Sequence, residues 1–105
     1  MIVNLTPHTL NIYDENGNVA AELPPSGTVA RVSVTYKRIN EADGVPLYYA
    51  FYGDVEGLPE PERGVYYVVS SMVKEQVWHR NDVLAPGEII RDSEGRPIGC
   101  RGLRV

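Results

Sequence analysis

The sequence predicts an α+β domain, an antiparallel β-sheet of six to seven strands packed on one principal α-helix. Three observations predict it. Short apolar runs, many alternating with polar residues, are separated by Gly, Pro, Asn and Asp at close intervals, as expected of strands joined by tight turns. One stretch alone, "SSMVKEQVWH", switches to a helical period. The 105 residues contain no repeat, low-complexity tract or linker, and 1–105 reads as a single domain.

Taken in order, "IVNL" and "TLNIY" are strands, but Thr6-Pro7-His8 divides them where a hairpin would place a turn such as Asn-Gly. Pro7 holds Thr6 extended. Asn4, Thr6 and His8 can all hydrogen-bond nearby backbone, so the segment is read first as a locked corner, and second as a place where Asn4 or His8 faces a ligand. "DENGN" then turns the chain into "VAAEL", with Asn16-Gly17 supplying positive φ. After "PPSG" comes "TVARVSVTY", in which Thr28, Ala30, Val32, Val34 and Tyr36 alternate with a more polar set that includes Arg31. "NEADG" turns into "VPLYYAFYG", whose Pro46 belongs near a strand start or on an edge. "GLPEPERG" is a stiff acidic loop, and "VYYVVS" is β-branched and aromatic enough for a central strand.

The helix follows at once. Val69, Met72, Val73 and Val77 recur at helical spacing, and Ser70 or Ser71 can cap the first turn. "RNDVLAPG" ends it. "EIIRDSEGRPIGCRGLRV" closes the chain as a hairpin around Ser93-Glu94-Gly95, with Ile98 and Leu103 expected to turn inward.

Composition narrows the function classes. Net charge is −4, but residues 1–79 carry five Lys/Arg against ten acids, and residues 80–105 carry five Arg against four acids. An acidic chain makes a poor duplex nucleic-acid binder, because that affinity comes mainly from phosphate neutralisation. Clustered Arg suits a small anion of defined geometry, since the planar guanidinium matches phosphate oxygens; taken singly, each Arg reads more simply as a surface ion pair. No apolar run approaches the ~20 residues of a membrane helix, and no signal peptide is evident. A single cysteine, Cys100, excludes an internal disulfide, and with only two histidines a conventional zinc site is not expected; no metal ligand and no cofactor are assigned. The expected home is cytoplasmic.

No nucleophile, acid/base pair or phosphate-loop motif is present, so no catalytic residue is assigned and the chain is read as a non-enzyme. Three features point to binding instead. Ser70 stands at the helix start, where free N–H groups suit a phosphate, although an ordinary N-cap is the simpler reading. The tyrosines of "YYAFYG" and "VYYVV", with Trp78, offer stacking faces, although about half must be core. Arg80, Asn81 and Arg91 supply donors and acceptors for phosphate, ribose and base edge, although Arg80 equally suits the helix C-terminus.

The segments "MIVNLTPHTLNIYDENGNV", "PPSGTVARV", "YGDVEGLPEPERGVYYVVSSMV", "RNDVLAPG" and "IIRDSEGRPIGCRGL", in this order, resemble a family of small proteins encoded in phage and prophage genomes. That family is in turn similar to the first Thoeris anti-defence proteins, which sequester cyclic ADP-ribose isomers without degrading them and in some cases hold cyclic oligonucleotides. The resemblance implies a homo-oligomer, dimer or hexamer, acting in the host bacterial cytoplasm with ligand pockets between protomers. It places ligand contacts on Arg31, Arg80, Asn81 and Arg91, with Tyr66, Tyr67 or Trp78 as the stacking ring. The segment between "RND" and "IIRD" is shorter here than in the group. From another class, the chain reads as a module that blocks a host protein or serves the virion; a nucleotide hydrolase ranks last.

Overall fold

The computed structural model describes residues 1–105. Strands account for 53% of the chain and there is one short helix. Eight strands form: β1 (Ile2–Asn4), β2 (Leu10–Tyr13), β3 (Val19–Leu23), β4 (Arg31–Ala42), β5 (Val45–Glu56), β6 (Tyr66–Val68), β7 (Val83–Arg91) and β8 (Pro97–Arg104), with α1 (Ser71–Gln76) between β6 and β7. Six belong to one sheet in the order β1-β6-β7-β8-β2-β3, while β4 and β5 pair only with each other.

The sheet is mixed rather than antiparallel. β1–β6, β6–β7 and β2–β8 run parallel, and only β7–β8 and β2–β3 are antiparallel. For β6 and β7 the cause lies in the helix, while β1 and β6, like β2 and β8, are far apart in the chain and joined by no hairpin. A strand that leads into a helix and returns beside itself makes a parallel crossover, and α1 is the crossover between β6 and β7. Parallel strands covered on both faces read as continuous apolar runs. Accordingly Tyr67, Val68 and Val69 are all buried, as are Val83, Leu84 and Ala85. β7 therefore begins at Val83, inside the segment expected to be only a helix terminator, and carries Pro86 within it.

The sheet curls until its edge strands meet. Asn4, at the end of β1, donates from Nδ2 to the Leu23 carbonyl of β3 at 2.9 Å, and its own carbonyl accepts from the Ser26 amide at 3.0 Å. Alternation splits the core into two. On one side Leu5, Ala30, Tyr67, Val69, Val73, Val77 and Val83 form a cluster under α1. On the other, Val68 and Leu84 lie side by side, and Ile12 pairs with Cys100 across β2–β8. Cys100 is 2% exposed, whereas Ile98, expected inward, is 39% exposed because the β7–β8 pairing shifts register after Ile90.

The Asp14–Asn18 turn forms where expected, but Gly17 alone supplies positive φ, at 84°, and Asn16 does not. The β4–β5 turn is tighter than "NEADG" suggested. Only Asp43 and Gly44 lie in it, both with positive φ, and Asn40–Ala42 stay in the strand. These two twelve-residue strands form an arm. Beyond the half-buried Val32–Val55 pair, every residue of the arm except Val34 is exposed. The radius of gyration, 16.5 Å, exceeds the ~13 Å of a compact chain of this length accordingly.

Candidate functional site

The corner "NLTPH" is where the most specific local geometry sits. The Asn4 side chain is 3% exposed and uses all its capacity. Nδ2 donates to the carbonyls of His8 at 2.8 Å and Leu23 at 2.9 Å, while Oδ1 accepts from the Thr6 amide at 2.9 Å and the Thr6 hydroxyl at 2.7 Å. Thr6 is 7% exposed and held by these bonds. His8 takes part through its backbone, and its imidazole is on the surface. The corner is thus a lock that also clasps the curled sheet.

Around this corner lie three hollows. The first, of about 440 Å³, is floored by Leu5, Ala30 and Val73 and walled by Val29, Val32 and Met72; Arg31, Ser70 and Glu56 supply its polar groups. The other two, of about 490 and 570 Å³, open beyond Pro7 and share His8, Leu10, Pro86 and Ile89; Arg104 reaches the larger, its Nη2 donating to Ser71 Oγ at 3.4 Å.

Of the residues singled out in the sequence, two meet. Arg31 and Ser70 come from distant segments and line the first cleft together. Arg38, Arg80, Arg96 and Arg101 are taken up in ion pairs, whereas Arg31 has neither an ion pair nor a side-chain hydrogen bond within the chain. Ser70 acts as the N-cap of α1, its Oγ accepting from the Val73 amide at 3.3 Å. With six residues α1 is under two turns, so its dipole is a weak source of anion binding.

The remaining candidates sit elsewhere. Tyr67 is 4% exposed, its ring within the core cluster and its hydroxyl donating to the Glu60 carbonyl at 3.5 Å; it offers no face to a ligand. Trp78 is 76% exposed just past α1, edge-on to His79. Arg80 is committed to structure. Its fork grips Asp82 through Nε at 3.0 Å and Nη2 at 2.7 Å, and Nη1 donates to the Pro59 carbonyl at 3.0 Å, tying the acidic loop down. The hydrogen bonds that Arg80 donates hold the Asp82 carboxyl below its usual range, and Asp82 raises the Arg80 pKa in return. Asn81 is exposed beside them. Arg91 bonds the Gly95 carbonyl at 2.9 Å in the β7–β8 turn, where the Arg96 and Glu94 amides also lower the Asp92 pKa.

Sequence reasoning did not single out Met72 and Glu56 as site residues. Helical spacing places Met72 in the core, yet it is 46% exposed at the cleft. Glu56 enters because β5 returns it opposite Arg31. No three His, Cys, Asp or Glu side chains converge as a metal site would need, and no helix is long and apolar enough to cross a membrane. Comparison with protein-family models, with curated proteins and with solved structures finds no match to this chain.

Proposed function

We propose that this chain is a phage or prophage anti-defence protein that binds and sequesters a cyclic nucleotide immune signal, a cyclic ADP-ribose isomer or a cyclic oligonucleotide, without degrading it. The resemblance of its ordered segments to small phage proteins supports the class. The observation that carries the reading is the uncommitted guanidinium of Arg31 on the rim of an apolar cleft. At about 440 Å³ the cleft falls within the range of small-ligand sites. Apolar walls suit a base, Arg31 suits a phosphate oxygen, and Glu56 can accept from ribose hydroxyls.

A pyrophosphate carries two negative charges, and within one chain this cleft supplies a single cation beside an acid. The reading therefore includes a second copy that contributes the balancing positive charge. Trp78, Asn81 and Arg91 do not line this cleft, so they take part only from that neighbour, and Arg80, spent on Asp82 and the Pro59 carbonyl, is left out of the reading. The complex works in the cytoplasm of the infected bacterium, where such signals are made.

The test is retention and release. Protein mixed with cyclic ADP-ribose isomers should carry one of them through gel filtration and give it back intact on heating. Recovery of a cleaved product makes the protein an enzyme, and failure to retain any cyclic nucleotide ends the reading. A second reading, a module that blocks a host protein, is favoured by the exposed aromatic arm. Capture of one stoichiometric host protein by a ligand-free sample would support it.

A further inference from the structure

The largest hollow exists because β6 leaves β7 early. The two strands pair only at Val83 and Leu84, and the chain then turns away into α1, so from Pro86 onward β7 has β8 as its one strand neighbour. The Thr6–His8 corner stands across the gap, and the space enclosed is about 570 Å³, within the range of small-ligand sites. Leu10, Pro86 and Ile89 give it apolar walls. The second hollow shares these three residues and extends the same surface to Ile98. Ile89 is 48% exposed and Ile98 39%, so the aliphatic walls stand in water.

Charge in this space has one sign. The β7–β8 register sets Arg104 opposite Ala85, beside Ser71. Its guanidinium has no ion pair, and its one side-chain hydrogen bond is the 3.4 Å contact with Ser71 Oγ, which leaves the Ser71 O–H free to donate. No Asp or Glu lines either hollow, in a chain with fourteen acids against ten Lys and Arg. Glu88, the one acid of β7, is spent on Arg101 at 3.0 Å.

We propose that the joined hollows are a second ligand site, separate from the Arg31 cleft, for a small monocarboxylate with an apolar body. The guanidinium fork of Arg104 matches the two carboxylate oxygens, and the Ser71 hydroxyl and His8 imidazole add donors beside it. A single cation with no acid nearby balances one negative charge. A phosphate monoester carries about −1.5 to −2 at neutral pH and would be left undercompensated. The body of the ligand lies on Leu10, Pro86, Ile89 and Ile98 and removes them from water, which favours binding in proportion to the apolar area covered. The two sites meet at Thr6, Pro7 and Ser70 but share no charged group.

The site needs no cyclic nucleotide, and its test uses none. Hexanoate titrated into the labelled full chain should give saturable nuclear magnetic resonance shifts at His8, Leu10, Ser71, Ile89, Ile98 and Arg104. Acetate lacks the body and hexan-1-ol lacks the charge, so each should bind at least about tenfold more weakly. Hexyl phosphate should bind no more tightly than hexanoate. Arg104→Gln should weaken hexanoate binding about tenfold or more, and Ile89→Asp, which sets an acid among the walls, should abolish it. Both side chains are exposed, so each variant should keep the parent's unfolding midpoint in urea. The absence of saturable shifts with hexanoate, or shifts confined to other segments, overturns the inference. So does acetate, hexan-1-ol or hexyl phosphate binding as tightly as, as tightly as or more tightly than hexanoate respectively, or a folded variant that binds hexanoate like the parent.

Discussion

Removing the Asn4 side chain tests the clasp most severely. Asn4→Ala deletes four hydrogen bonds at once, two donated to the His8 and Leu23 carbonyls and two accepted from the Thr6 amide and hydroxyl. Each net bond contributes about 1 kcal/mol, and groups left buried without a partner cost about 1–3 kcal/mol. The Thr6 hydroxyl can turn to the His8 carbonyl, 3.1 Å away, which recovers part of the loss. The expected destabilisation is about 3–5 kcal/mol, against a total of about 5–15 kcal/mol for a chain this size. A fall in Tm of at least ~12 °C follows. Asn4→Asp sharpens the test. An ionised carboxylate at this position would face two carbonyls with oxygen in place of a donor, so folding raises its pKa. The variant should therefore be most stable below the carboxyl's unfolded value and lose stability as pH rises through the raised folded value. Urea unfolding of both variants across pH is the assay. An Asn4→Ala protein within ~1 kcal/mol of the parent, or an Asn4→Asp protein with no such pH trend, would refute the idea that this amide closes the sheet.

Asp82 gives the opposite pH trend. Arg80 lowers its folded pKa, so its contribution is complete above the unfolded carboxyl value and is lost as pH falls through the lower folded value; Asp82→Asn should flatten that acid limb of a urea midpoint series. Arg80→Ala should cost stability, about 1–3 kcal/mol by denaturant titration, because it releases both Asp82 and the Pro59 carbonyl. Arg31→Ala should do the reverse, leaving the unfolding midpoint unchanged while weakening cyclic nucleotide binding by about 1.5–3 kcal/mol in calorimetry. Gly57→Ala should destabilise the base of the arm, visible as a lowered Tm, since Gly57 has φ +80° and an added Cβ would meet the Val29 carbonyl oxygen at 2.5 Å.

Local chemistry was readable wherever one residue decides the backbone. Gly17 and Gly44 gave away their turns, Ser70 its cap, and the Thr6-Pro7 pairing its corner. Strand direction was only partly readable: the unbroken apolar runs of β6 and β7 and the crossover through α1 mark that parallel pair, whereas β1–β6 and β2–β8 join segments far apart in the chain whose pairing no local pattern reveals. The clasp was half legible. Asn4 was expected to bond nearby backbone, but its partner in Leu23 is nineteen residues away and belongs to the curl of the sheet. The site shows the same limit. Arg31 and Ser70 converge through the fold, whereas Arg80 has every mark of an anion ligand in sequence and spends its fork on Asp82 two residues on. Tyr67 looked like a stacking ring because aromatic residues look alike on both faces of a strand; burial alone separates it from exposed Tyr66.

The most direct measurement is a nuclear magnetic resonance titration of labelled protein with cyclic ADP-ribose isomers, followed by recovery of the ligand. The account predicts saturable shifts concentrated at Leu5–Thr6, Val29–Val32 and Ser70–Val73, with the ligand recovered whole. Shifts centred on Arg91–Arg96 with Arg31 untouched, or no shifts at saturating ligand, would contradict it.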